Sequence, residues 1–291
     1  MDLETIGIVG LGLIGGSLAL ALRRALPGLR IIGVDDDERT RQLALAEDAC
    51  HACWVLEEAP LADCQLVVLA VPAEPLLAIL PQVAARMRSG SILTDVCGAK
   101  ERICAAGAQQ KRVIFAGAHP MAGTEYRGFT AANPALFRGC TVALCAPGGG
   151  GNAKSRARAS QQVRELWTAA GAEKLLELTP GAHDQAVTFA SHLPYLAAAA
   201  VVEALHASPE AMLASELAAG GFRDTTRLAG DGTISGAAAL NRFVPEAARS
   251  LAQTLRELAD LIDHDAAGAL VRLGQLAEDR RRMKLPRAAS R

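Results

Sequence analysis

The residues best suited to chemistry in this 291-residue chain lie together between Gly117 and Gly128, in the order G-A-H-P-M-A-G-T-E-Y-R-G. They follow an apolar run, Val113 to Ala116, that has the character of a buried strand. The stretch gathers an imidazole, a hydroxyl, a carboxylate and several glycines, which is a poor core sequence and a good site sequence. The imidazole of His119 makes it the candidate functional residue of the stretch. The alternative is a turn in which His119 only satisfies backbone groups. Ligands of open α/β sheets gather outside the carboxyl ends of the strands, where a histidine just beyond a strand would meet them.

A second constellation opens the chain. Ile6 to Val9 is apolar, Gly10-Leu11-Gly12-Leu13-Ile14-Gly15-Gly16-Ser17 follows, and Leu18 to Leu26 is rich in Ala and Leu. Strand, G-x-G-x-x-G and helix in that order form a dinucleotide-binding fingerprint. Gly10 permits the tight turn, Gly12 lets the backbone approach a pyrophosphate and Gly15 lets the helix pack closely, with the helix N-terminus facing the negative charge. The expected cofactor contacts are therefore Gly10, Leu11, Gly12, Leu13, Ile14 and Gly15. The next strand, Leu29 to Val34, ends in Asp35-Asp36-Asp37. Asp35 stands where an acid accepts hydrogen bonds from ribose hydroxyls, and three carboxylates would repel a ribose phosphate. The cofactor is thus expected to be NAD, with Arg39 as the nearest arginine in sequence.

Polar groups that a helical core would not need recur later. Ser191-His192-Leu193-Pro194-Tyr195 breaks a helix after an imidazole, Gly220 to Arg227 reads as a glycine-led, charge-dense turn, and Asn241 stands near the last long helix. The planar fork of an arginine suits a carboxylate, which marks Arg227 as a candidate ligand.

The elements that must position these residues fall into two sets. Leu66 to Ala70, Ser91 to Thr94 and Val113 to Ala116 are strand-like, and they alternate with Pro75 to Met87 and Lys100 to Gln110, which are long enough to be crossover helices. Strict alternation predicts a parallel, doubly wound sheet of Rossmann type over residues 1–179. The strand tips Val71-Pro72 and Thr94 to Gly98 are expected to line the nicotinamide end of the crevice. Thr141 to Ala146 and Lys174 to Leu178 read as further strands, and Gly148 to Gly151 as a flexible loop. Strand signals stop after Thr179, so residues 180–291 are expected to form an all-α domain. His183 to Ala190, Leu193 to Ala207, Glu210 to Ala218 and Pro245 to Leu276 have wide Ala- and Leu-rich faces, which predicts a homodimer.

Thirty basic and thirty-one acidic residues leave a net charge of −1, which offers no case for nucleic acid or an anionic membrane as partner. The acidic start lacks the basic region of a secretory signal, and Leu193 to Leu205 is too short to span a bilayer, so a cytoplasmic protein is expected. The seven cysteines lie mostly in apolar surroundings and read as reduced core residues. Cys50-His51-Ala52-Cys53 has redox or zinc-like spacing, but no second ligand pair accompanies it, and no metal is expected.

Together the motifs resemble the prephenate/arogenate (cyclohexadienyl) dehydrogenase family. The matching pieces are G-L-G-L-I-G-G-S from Gly10, T-D-V-C-G-A-K from Thr94, H-P-M-A-G-T-E from His119, H-D at His183, S-H-L-P from Ser191 and G-G-F-R-D-T-T-R from Gly220. The resemblance implies oxidative decarboxylation of prephenate or arogenate with NAD. It assigns His119 as the residue that takes the substrate hydroxyl proton, and Arg227 as the substrate arginine. Thr124, Glu125, Gly98 and Tyr195 would border the pocket, and His192 would support the site rather than act as a second base. Many relatives carry Ser at the position of Gly98, some prephenate-using members have His where Tyr195 stands, and Ser235-Gly236-Ala237 replaces a Trp-Arg-Asp-like segment. With few residues beyond Leu276, no regulatory domain is expected. A β-hydroxyacid dehydrogenase or imine reductase is the rival enzyme class, but such enzymes use a lysine in the helical half and none occurs between Thr179 and Arg282. The rival outside enzymes is an NAD-sensing module.

Overall fold

The computed structural model describes residues 3–124 and 126–284; Glu125 and the end of the basic tail lie outside the described residues. In chain order the first half runs β1 (Thr5–Val9), α1 (Leu13–Ala25), β2 (Arg30–Val34), α2 (Glu38–Ala46), β3 (Ala52–Trp54), β4 (Leu66–Leu69) and α3 (Ala73–Arg86). It continues with β5 (Ile92–Asp95), α4 (Glu101–Ala108), β6 (Ile114–Ala116), β7 (Ala118–Pro120), β8 (Thr141–Cys145), β9 (Gly148–Gly149), α5 (Ala153–Ala169) and β10 (Lys174–Leu178).

The main sheet has the order β3-β2-β1-β4-β5-β6-β9, parallel throughout except for the antiparallel edge strand β9. Successive strand side chains point to opposite faces, and both faces are covered, so the strands read as unbroken apolar runs. Ile6, Ile8, Ile31, Leu66 and Val68 pack with Leu18, Leu22 and Trp167 of α1 and α5 on one side. Val67, Leu69, Ile32, Val34 and Leu93 pack with Leu76, Leu80, Val83 and Ile103 of α3 and α4 on the other. The strand order reverses between β1 and β4, which opens the crevice outside their carboxyl ends.

One expectation for this half is corrected, that of a flexible loop after Pro147. The expected strands β8 and β10 are present and lie outside the main sheet. They form a separate three-stranded sheet with β7, ordered β10-β8-β7, because β7 leaves the main sheet at Gly117 and pairs antiparallel with β8. The glycines after Pro147 are no free loop, since Gly148 and Gly149 pair with Phe115 and Ile114 at the sheet edge.

The helical half comprises α6 (Pro180–Val187), a π turn (Thr188–His192), α7 (Leu193–Ala207), α8 (Ala211–Leu217), α9 (Gly220–Thr226), a 3₁₀ turn (Arg227–Gly230), α10 (Gly232–Leu240), α11 (Val244–His264) and α12 (Ala266–Arg282). Thr179 caps α6 by accepting the amide of Ala182. Pro194 has no amide hydrogen to return to the preceding turn, and the π turn absorbs that gap without ending the helix. Joined end to end, Pro180–Ala207 is 28 residues long and contains an 18-residue stretch of mean hydropathy 1.3, long and apolar enough to cross a membrane by composition, although His183, Asp184 and His192 on it are buried in this fold. The charge-dense turn expected at Gly220 is instead the helix α9. The single helix expected from Pro245 to Leu276 is two, because Asp265 leaves helical geometry and its carboxylate accepts the amide of Gly268 to start α12.

Candidate active site

The cofactor corner is built from backbone. Gly10 has φ +90°, a left-handed conformation that favours glycine, and its amide donates to Val34 O at 2.7 Å. A side chain at Gly15 would run into the carbonyl oxygen of Gly10, whereas one at Gly12 would meet nothing within 4 Å. The closed side of the turn thus packs the helix against the strand, and the open side leaves room over Gly12 for a phosphate. Leu13 and Ile14 open α1, where the first amides have no partner within the helix. The Asp35 carboxylate accepts the amides of Leu11 at 2.8 Å and Asp37 at 3.0 Å, which leaves further lone pairs on both oxygens. Leu11 turns inward, fully buried, and uses its amide to hold Asp35. Arg41 folds back on this run; its Nη1 donates to Asp35 O at 2.7 Å and Asp36 O at 2.9 Å. Val71 is half-buried and Pro72 exposed at the tip of β4, while Thr94 is wholly buried with its hydroxyl unpartnered among the described residues. These residues fit a dinucleotide: a cradle with no side chain over Gly12, free amides at a helix N-terminus, and a carboxylate at the ribose end.

His119 sits one strand further along, on β7, in register with Ala143 of β8. A strand rather than a loop holds it, because the carboxyl edge of the main sheet continues into β7. Beneath it, the fully buried Lys100 ammonium pairs with Asp95 and donates to Ala118 O at 2.7 Å. Asp95 in turn accepts the amides of Cys97 at 2.9 Å and Ala118 at 3.2 Å, so this ion pair braces the backbone on both sides of the histidine.

His119 Nδ1 lies 2.9 Å from His183 Nε2, and His183 Nδ1 lies 2.8 Å from Asp184 Oδ1. Asp184 also accepts the amides of Lys100 at 2.6 Å and Glu101 at 2.9 Å, across the junction of the two halves. Burial pushes the Asp184 carboxyl up, but the hydrogen bonds from His183 and from those two amides hold it below its ordinary range. Burial, followed by the neighbouring His183, Lys100 and His192, keeps His119 well below the usual imidazole range. The other edge of the His119 ring faces Gly98. A Cβ there would stand 3.4 Å from its Cε1 and 3.5 Å from its Nε2, and 3.3 Å from Ala237 Cβ on α10.

Of the remaining expected site residues, Tyr195 is half-buried in the first turn of α7, and Thr124 is exposed with its hydroxyl accepting the Tyr126 amide at 3.2 Å. Arg227 is exposed and forms no hydrogen bond or ion pair among the described residues; its 3₁₀ turn is tied to the loop after His119 by Arg127, which donates to Gly230 O at 3.5 Å. Sequence reading had no role for the pair His183-Asp184 or for the Lys100-Asp95 ion pair. Both pairs nevertheless lie within motifs that carry the resemblance, H-D at His183 and T-D-V-C-G-A-K from Thr94.

A Rossmann sheet with an open glycine corner, joined to a helical half that buries a histidine network at the carboxyl edge of the strands, sets a candidate proton acceptor beside a candidate dinucleotide cradle. Residues 18–176 match the family model for the prephenate dehydrogenase nucleotide-binding domain, and residues 179–275 match that for the prephenate dehydrogenase dimerization domain. The chain belongs to the prephenate dehydrogenase family. It is 34% identical over 232 residues to the prephenate dehydrogenase of Bacillus subtilis (strain 168), covering 78% of this chain and 60% of that protein, so it spans about three-fifths of that relative's length. Among solved structures it is similar to Synechocystis arogenate dehydrogenase, with 30% identity, TM-score 0.73, and 95% and 98% of the two chains covered. It is also similar to prephenate dehydrogenase from A. aeolicus in complex with hydroxyphenyl propionate and NAD+, with 25% identity, TM-score 0.85, and 98% and 99% covered.

Proposed function

We propose that this chain is an NAD-dependent dehydrogenase that oxidatively decarboxylates prephenate, arogenate or both, giving 4-hydroxyphenylpyruvate or tyrosine. One observation carries the reading: His119 Nε2 has no hydrogen-bond partner among the described residues and lies beside the side-chain-free position Gly98, at the carboxyl edge of the sheet that carries the glycine corner. A ring bearing a hydroxyl opposite a carboxylate needs such a group, because it becomes aromatic by losing a hydride, the hydroxyl proton and carbon dioxide. NAD, when bound, accepts the hydride. His119 takes the proton at Nε2, and its lowered pKa keeps it unprotonated and ready at neutral pH.

Gly10, Gly12, Leu13, Ile14 and Gly15 form the pyrophosphate cradle, Asp35 binds the ribose hydroxyls, and Val71, Pro72 and Thr94 belong to the nicotinamide end. The carboxylates Asp35 to Asp37 disfavour a ribose phosphate. The unpaired guanidinium of Arg227 clamps a substrate carboxylate bidentately, with Thr124, Gly98 and Tyr195 bordering the ring. We assign residues 1–179 to nucleotide binding and 180–291 to substrate binding and association. A second copy of the chain covers the exposed apolar faces of α8, α11 and α12, and the enzyme works in the cytoplasm.

Steady-state assays with prephenate and arogenate, each with NAD and NADP, test this. Turnover of at least one substrate with NAD is expected, and no turnover of either rejects the function. His119→Asn is expected to lower kcat by about 10²–10⁴-fold with NAD affinity within about two-fold of wild type, as the residue lies outside the glycine corner. Unchanged turnover removes it as the base.

A further inference from the structure

We propose that His183 and Asp184, reaching across from the helical half, are positioning residues that hold His119 in its Nδ1–H tautomer and take up the positive charge that proton transfer creates. The proposal rests on His119 being the base.

The argument is one of donors and acceptors. An ionised carboxylate only accepts, and Asp184 already accepts two backbone amides, from Lys100 and Glu101, which fix its orientation. The ring nitrogen it meets at 2.8 Å, His183 Nδ1, must therefore carry a hydrogen. In a neutral ring the opposite nitrogen then has a lone pair, so His183 Nε2 is an acceptor. His119 Nδ1, 2.9 Å away, is left as the donor of that contact. It follows that the lone pair of His119 sits on Nε2, the nitrogen beside Gly98, where a substrate hydroxyl needs it. The alternative, a resting His183 imidazolium donating to His119, would put a hydrogen on the wrong nitrogen of the base. It would also place a second cation in a buried site that already holds the Lys100 ammonium.

The same chain provides a path. When the substrate O–H bond breaks, its proton joins His119 Nε2; the Nδ1 proton of His119 moves to His183 Nε2, and the resulting imidazolium faces the Asp184 carboxylate. No proton is gained or lost in this relay, and the charge ends beside an anion rather than in the substrate pocket. Because Asp184 is carried by α6 while its two amide partners start α4, the state of the base depends on the docking of the two halves. Glu101 secures that docking a second time, accepting Arg242 Nε at 2.6 Å and Nη2 at 3.0 Å. Other charged or titratable neighbours of His119 are Lys100, itself neutralised by Asp95, and His192.

The most direct test needs no substitution in the network: ¹⁵N NMR of the histidine rings of the wild-type protein at neutral pH, with His119 assigned by difference from His119→Asn. A protonated Nδ1 and a bare Nε2 are expected, and a predominant Nε2–H form of His119 overturns the proposal. Kinetics give the second arm. His183→Phe keeps a ring but no acceptor and is expected to lower kcat about 100-fold, with substrate KM and NAD affinity within about two-fold. His183→Gln restores an acceptor oxygen and is expected to recover roughly ten-fold of that loss, the equivalent of one hydrogen bond. Wild-type kcat in His183→Phe, or loss of kcat together with NAD affinity and no recovery in His183→Gln, overturns it. If His119→Asn abolishes turnover while His183→Phe does not, the relay fails and the base assignment survives; if His119→Asn is fully active, the base assignment itself has failed.

Discussion

Acid should destabilise this protein through His192, and the size of the effect can be worked from its surroundings. The ring is 1% exposed. Asn241 Nδ2 donates to Asp184 O at 2.8 Å and Thr188 Oγ1 at 2.9 Å, and faces His192 Nδ1 at 3.1 Å, while Asn241 Oδ1 accepts the Phe243 amide at 3.0 Å. The amide cannot flip without losing these bonds, so its NH2 group faces His192 Nδ1; an NH2 group cannot accept, so Nδ1 carries a lone pair there, and protonating it would set N–H against N–H. Burial first, and then His183, lower the ring pKa from 6.5 to about 4, with Asp184 opposing. The folded state therefore binds this proton less readily than the unfolded chain. The stability contributed is complete above pH 6.5 and is lost as the pH falls from there toward 4. Between pH 8 and pH 5 the loss is about 2 kcal/mol. Urea unfolding of wild type and His192→Gln at both pH values isolates it, since the other titrating groups are shared. Wild type should lose about 2 kcal/mol more than the variant over that interval. Equal losses would refute the reasoning, as would a His192 that titrates near 6.5 in the folded protein.

Two further outcomes follow from exposed groups. Arg227→Ala should raise the substrate KM by roughly 10–100-fold, the loss of a charge-assisted contact worth about 1.5–3 kcal/mol, while kcat changes little; an unaltered KM would remove Arg227 from the pocket. Leu270 is 75% exposed and Leu217 74%. If a second copy covers them, Leu270→Asp should weaken the dimer at least about ten-fold in sedimentation velocity, since burying one leucine is worth about 1.5–3 kcal/mol. A wild-type chain that sediments as a monomer at all concentrations would refute the covered face.

Much of the fold was legible because local chemistry and global architecture agree. The apolar runs at Ile6, Leu66 and Ile92 are buried on both faces of one sheet, so each announces itself without its neighbours. The glycine corner was readable for a similar reason: its conformation and close contacts are made within a few residues of sequence. Short α2 and β3 escaped notice because Glu38–Ala46 is largely polar and Ala52–Trp54 is only three residues long, leaving no period to detect. The helix α9 was taken for a turn because its two leading glycines are weak helix formers, and packing against α7 overrides that propensity.

By itself the sequence determined the nucleotide corner, the alternation that builds the sheet, the helical second half and the candidacy of His119, since each depends on residues adjacent in the chain. Only the tertiary structure decided what His119 can do. Its partner His183 lies 64 residues away, and the amides that orient Asp184 lie 84 and 83 residues away on another helix. Which nitrogen of a histidine carries the hydrogen depends on what stands against it, and that is settled only when β7, α4 and α6 are brought together.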